Sequence, residues 1–102
     1  MADVADLQER ATGISVSKTL PCGDDYIVLL DSDQASRSNL WANLRRVNSA
    51  GAVVWAASAP SSSDIFTGVA WRDGHLVAWT WQCSLITVDQ ETGKPVDVLF
   101  TK

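Results

Sequence analysis

The sequence predicts an all-β protein with a short N-terminal helix, built as two antiparallel four-stranded blade-like meanders in one domain. Three observations predict it. First, a strand, a polar turn with Gly and a second strand occur twice. Val47-Asn48-Ser49-Ala50-Gly51 leads into Ala52-Val53-Val54-Trp55, and Val88-Asp89-Gln90-Glu91-Thr92-Gly93 leads into Lys94-Pro95-Val96-Asp97. The copies lie about forty residues apart, a period that marks repeat architectures. Second, from Ile14 onward apolar residues fall in runs of strand length separated by turn residues. Third, Pro60-Ser61-Ser62-Ser63-Asp64 divides the chain into halves with one order: turn, apolar strand, patterned strand, Gly turn, final strand.

Residues 3–11 read as the helix. Asp3 caps its first N–H groups, Val4, Leu7 and Ala11 fall on one stripe, and Gly13 ends it. So short a helix is marginal alone and must dock on something. The first β-unit covers 14–59. Ile14, Val16 and Leu20 alternate, and Pro21-Cys22-Gly23-Asp24-Asp25 turns the chain. Tyr26-Ile27-Val28-Leu29-Leu30 is a continuous apolar run, consistent with a strand buried on both faces. Residues 31–38 read as a polar loop, 39–48 as a strand and 52–57 as the last strand of the unit.

The second β-unit covers 64–102. Residues 65–72 and 75–82 are strands joined by Asp73-Gly74. That dipeptide signals a type I′ hairpin, in which both turn residues need φ > 0. Residues 84–89 and 96–101 complete the unit. Pro95 stands at a strand start, where its missing N–H does least harm.

Composition narrows the function. A chain of 102 residues makes one domain with a modest core. The formal net charge of −4 argues against a nucleic-acid partner, which needs clustered Lys and Arg. The one basic doublet, Arg45-Arg46, sends its side chains to opposite faces of a strand. No apolar segment is long enough to span a bilayer, so no membrane partner is expected. Asp3, Asp6 and Glu9 stand where a signal peptide needs positive charge, so the expected location is cytoplasmic. Cys22 and Cys83 have neither a close spacing nor a metal-ligand spacing. In a reducing compartment two thiols are the expectation, although the sequence leaves a bridge between them open.

Val88-Asp89-Gln90-Glu91-Thr92-Gly93-Lys94 is similar to the signature turn of quinoprotein-like β-propeller repeats. In that family Asp, Thr-Gly-Lys and a following Trp recur in each blade. Gly51-Ala52-Val53-Val54-Trp55 carries the Gly and the Trp at matching spacing. The copies also depart from the pattern. Asp97 holds the Trp place in the second, and in the first Asn48 replaces Asp while Thr and Lys are absent. The resemblance implies two blade-like units, with the Trp packing one on the next. Quinoprotein enzymes hold their cofactor with residues from many blades, so no cofactor is expected here. Propellers usually have four to eight blades, and two cannot close a ring. The sheets must pack as a sandwich, merge into a barrel or bent sheet, or complete a ring with other chains. Their apolar strands predict a homo-oligomer, most simply a dimer.

Five Trp residues in so short a chain are unusual, because each carries a large apolar area and one N–H that wants a partner. Trp71, Trp79 and Trp81 lie near the Asp73-Gly74 hairpin. By the two-residue period His75, Val77, Trp79 and Trp81 share a face. Trp79 and Trp81 would then form a flat platform for a sugar ring or an apolar ligand, with Asp73 and His75 offering hydrogen bonds at the rim. The candidate ligand-binding residues are therefore Trp71, Asp73, His75, Trp79 and Trp81. The competing reading places these rings in the core or in a subunit contact.

No catalytic residue is assigned, because the single His75 has no visible nucleophile partner. Whether the chain is an enzyme stays open, with the balance against. Cys22, His75 and Cys83 lack a fourth ligand, and no metal is expected. Asp31 and Asp33 suggest calcium, but the loop has Ser36 and Ala42 where Gly and Glu are required. The expected function is a small non-catalytic β-rich interaction module that self-associates and binds a protein or glycan partner. The alternative is a carbohydrate- or small-ligand-binding protein using a Trp platform.

Overall fold

The computed structural model describes residues 3–100. Helix α1 (Val4–Thr12) leads into β1 (Val16–Cys22) and β2 (Asp25–Leu30). Helix α2 (Ser32–Arg37) follows, then β3 (Leu44–Val47) and β4 (Val53–Ala57). The second half runs β5 (Phe66–Arg72), β6 (His75–Thr80), β7 (Ser84–Val88) and β8 (Pro95–Phe100). The strands form two antiparallel sheets, ordered β1-β2-β3-β4 and β5-β6-β7-β8. Within each sheet the strands therefore pair in sequence order, as the fold class required.

The two meanders repeat in detail. In each, the first and last strands carry one residue outside the pairing register. These are Ser17 in β1 and Val54 in β4, then Thr67 in β5 and Val96 in β8. The signature turns are tied alike. Asn48 Oδ1 accepts from the backbone N–H groups of Ala50 and Ala52, and Asp89 Oδ1 accepts from that of Glu91. A carboxylate or amide at this place holds the turn that Gly51 and Gly93 complete with positive φ.

The sheets close face to face. One core joins Ile27, Leu29 and Leu44 of the first sheet to Val69, Leu76, Ala78, Ile86 and Val88 of the second. Polar side chains suture the layers. Buried Asn43 donates to the carbonyls of Leu30 and Phe66 at 3.1 and 2.8 Å, and its Oδ1 accepts from the Phe66 N–H. Trp55 Nε1 and Arg46 Nη1 both donate to the Gln90 carbonyl at 2.8 Å. The Trp55 ring lies directly against Gly93, where a Cβ would stand 2.5 Å from it.

The other face of the first sheet is covered by the helices. Val28, Leu30 and Val47 pack with Val4 of α1, Ala35 of α2, Ile14 and Ile65. That double burial explains the uninterrupted apolar run of β2. The α1 face differs from the expected stripe: Val4 and Gln8 are its buried residues, and Ala11 is exposed. Gln8 bridges Gly51 and Arg45, donating to the former carbonyl and accepting from the latter guanidinium.

Two other elements differ from expectation. Most of the expected loop at 31–38 is helix α2, capped by the Asp31 side chain on the Gln34 N–H and braced by an Asp33–Arg37 ion pair. The expected strand at 39–48 shrinks to Leu44–Val47, because Asn39 turns back with φ 57° and Asn43 spends its side chain on the sheet junction. The expected end of the last strand at Thr101 lies outside the described residues. The alternating connections give the sandwich two ends. Turns 23–24, 48–52, 73–74 and 89–94 form a hairpin end, and segments 31–43, 58–65 and 81–83 form a loop end.

Candidate functional site

The five candidate residues do not form one site. Asp73 and Gly74, at φ 48° and 78°, make the expected hairpin turn, and exposed His75 follows it. Trp71 points the other way. It pairs with Leu76, packs on the inter-sheet core and donates its Nε1 to the Pro21 carbonyl at 2.9 Å. It is a suture between the sheets. His75, Val77 and Trp79 do share the outer face of the second sheet, because their partners Arg72, Ala70 and Gly68 alternate with the inward residues. Trp81 leaves that series. Strand β6 ends at Thr80, so the two-residue period stops one residue short. Trp81 sits at the loop end, separated from Asp73 and His75 by the length of β6, about 20 Å. Trp79 and Trp81 line separate hollows and make no common platform.

Two surfaces emerge instead. One is the outer face of the second sheet. Trp79 lies flat over Gly68, where any Cβ would meet the indole at 2.0 Å. Register places Ala70, Val77, Leu85 and Leu99 around it, with Leu99 57% exposed and Trp79 38%. Arg72 and His75 stand at one corner and Asp97 on the opposite strand. A hollow of about 370 Å³ opens along this face beside Trp79, Arg72, Cys83 and Leu85. The corresponding face of the first sheet is buried under helices. Among the described residues, this one carries no covering element.

The other surface is a cleft at the loop end. Trp41 and Trp81 line a hollow of about 290 Å³ with buried Ile65, Ser36 and Ser63. A second hollow of about 260 Å³ shares Trp41 and adds Ser58, Ser61, Ser62 and Asp64. Sequence reasoning misses Trp41, which falls within the strand expected over 39–48. A signal existed for the outer face: Gly68 inside a strand marks a close approach.

Electrostatics at the hairpin end serve the junction. Arg46 bonds Asp25 at 2.9 Å and stands 3.9 Å from Glu91. The hydrogen bond to Asp25 raises its already high pKa. Burial lowers that of Arg45, and burial raises that of the Cys22 thiol. Cys22 at the hairpin end and Cys83 at the loop end are not bridged, and with His75 they do not converge. Among the described residues no three metal-ligating side chains gather, and no helix is long and apolar enough to cross a membrane.

Fold and surfaces together define a two-layer β-sandwich of duplicated meanders, helix-capped on one side and, among the described residues, uncovered on the other. The chain belongs to the family described as Domain of unknown function (DUF7957), which matches residues 13–100. That span takes in both meanders and α2 and leaves out α1. Comparison with curated proteins and with solved structures gave no match.

Proposed function

We propose that the protein is a non-catalytic, self-associating module whose second copy docks on the outer face of the second sheet. The observation that carries this is the asymmetry of the layers. The helices bury Val28, Leu30 and Val47 on one flank, while Trp79, Leu85 and Leu99 stand uncovered on the other. A stack of repeats needs a polar cap at each end. Face-to-face docking of two copies supplies it, giving four sheets with helices at both outer flanks.

The edges favour this face over strand addition. Each edge strand carries a bulge residue, and β1 adds Lys18 while β8 begins at Pro95. Bulges, Lys and Pro discourage edge-to-edge pairing. The face is also self-complementary. A two-fold axis parallel to the strands, between β6 and β7, sets Trp79 against the partner's Leu85. The same operation brings Arg72 near the partner's Asp97. An isologous contact of this kind closes as a dimer.

Solution mass by light scattering tests the reading. Wild type is expected at twice the chain mass and Leu99→Glu at the chain mass, with unchanged circular dichroism. A wild-type monomer at high micromolar concentration rejects the proposal.

A further inference from the structure

We infer that the loop end holds a binding site for a neutral sugar, seated between Trp41 and Trp81. It uses neither the face nor the residues proposed for self-association. Both indoles are open to solvent, Trp41 at 37% and Trp81 at 76%. Rings of this size normally bury most of their area, so two exposed ones in one cleft mark a place for something flat and partly apolar.

The cleft is held in shape. Trp41 Nε1 donates to Asn39 Oδ1 at 2.7 Å, and the backbone N–H of Trp81 donates to the Ile65 carbonyl at 3.0 Å. Four described residues other than Gly have positive φ. Asp73 belongs to the hairpin turn that demands it. Of the other three, Ser63 lines this cleft and Asn39 holds its Trp41, while Cys83 lines the separate hollow beside Trp79. Such conformations are costly for side chains other than Gly and concentrate at functional sites.

The chemistry selects the ligand. An electron-rich indole face meets the C–H face of a pyranose ring. Six serines around the two hollows offer donors and acceptors to its hydroxyls, and Asp33 and Asp64 offer acceptors. Asp64 is 3% exposed. Its Oδ1 accepts from the N–H groups of Ile65 and Gln82 at 2.9 and 3.0 Å. Its Oδ2 is buried without a hydrogen-bond partner. Buried polar atoms are normally satisfied, and a hydroxyl entering beside it supplies the missing donor. Among the described residues no Lys or Arg lines either hollow, so an anionic sugar has no counter-charge there. Trp and Asp together also suit a quaternary ammonium. The serine ring and the pairing of Asp33 with Arg37 favour the neutral polyol.

Calorimetric titration with neutral oligosaccharides (maltohexaose, cellohexaose, chitohexaose, xylohexaose) and with choline tests the assignment. At least one neutral sugar is expected to bind with a millimolar constant or better, and choline is not. Trp81→Ala removes an exposed side chain, leaves the fold intact and weakens that binding at least about tenfold, or about 1.4 kcal/mol. Leu99→Glu keeps the sugar affinity, which separates this site from self-association. Absence of binding by all four sugars, choline bound in their place, or an affinity unmoved by Trp81→Ala overturns the inference.

Discussion

Gly93 and Gly74 both sit near φ 78°, yet their surroundings differ, and the difference isolates one contact. A Cβ on Gly74 meets nothing within 4 Å, whereas a Cβ on Gly93 stands 2.5 Å from the Trp55 ring. Gly74→Ala therefore costs only the left-handed backbone term, about 1 kcal/mol. Gly93→Ala adds overpacking against a ring held by its bond to the Gln90 carbonyl, about 1–3 kcal/mol more. Urea unfolding of the two variants reads the gap directly, and equal losses would mean that Trp55 does not press on that turn. The Gly–Trp spacing was visible in the sequence at Gly51 and Trp55. Which turn the ring would meet was not, because that contact joins residues far apart in the chain across two sheets. Asn43 escaped for the same reason. A polar residue inside a β-pattern reads as solvent-facing, and only the sheet junction reveals its three buried hydrogen bonds to Leu30 and Phe66.

At the scale of elements, strands were legible and helices less so. The period of two, the Asp73-Gly74 turn and the Gly turns located all eight strands, since each signal is local. Helix α2 has six residues and one buried side chain, Ala35, too little for an apolar stripe. Its support comes from the Asp31 cap, the Asp33–Arg37 pair and the Ala35 packing, and only the first two can be read from spacing. The stripe of α1 was misjudged because Gln8 is buried through tertiary hydrogen bonds that no hydropathy pattern carries. Both helices act as a lid on the first sheet. Removing residues 1–12 uncovers part of the Val28, Leu30 and Val47 cluster, each side chain forfeiting up to about 1.5–3 kcal/mol of burial. The shortened chain is expected to elute as large assemblies with a lowered melting temperature. An unchanged mass and melting temperature would show that the lid is dispensable.

For the whole molecule, the sequence dictated that apolar flanks exist but could not say which flank the helices take. The structure resolves this: one side of the sandwich is closed by its own chain, and the other meets solvent with an apolar centre and charges at its margins. If a second copy closes it by the proposed two-fold, Arg72 and Asp97 contact twice, once on each side of the axis. Arg72→Asp leaves two carboxylates facing at each margin, and Asp97→Arg leaves two guanidinium groups. Like charges opposed in this way cost about as much as a rim pair contributes, up to about 1 kcal/mol each. With the favourable pair lost and a repulsion of similar size added at both margins, each variant alone should then dissociate at concentrations from severalfold to several hundredfold higher than wild type, by the roughly 1.4 kcal/mol that each decade requires. Mixed in equal amounts, the two variants restore both opposite-charge contacts in a heterodimer. At one margin the carboxylate introduced by Arg72→Asp meets the guanidinium introduced by Asp97→Arg, and at the other the native pair reforms. Sedimentation of the mixture tests the symmetry itself. Recovery of dimer on mixing requires that the two margins face each other, and failure to recover it means that the copies meet in some other arrangement.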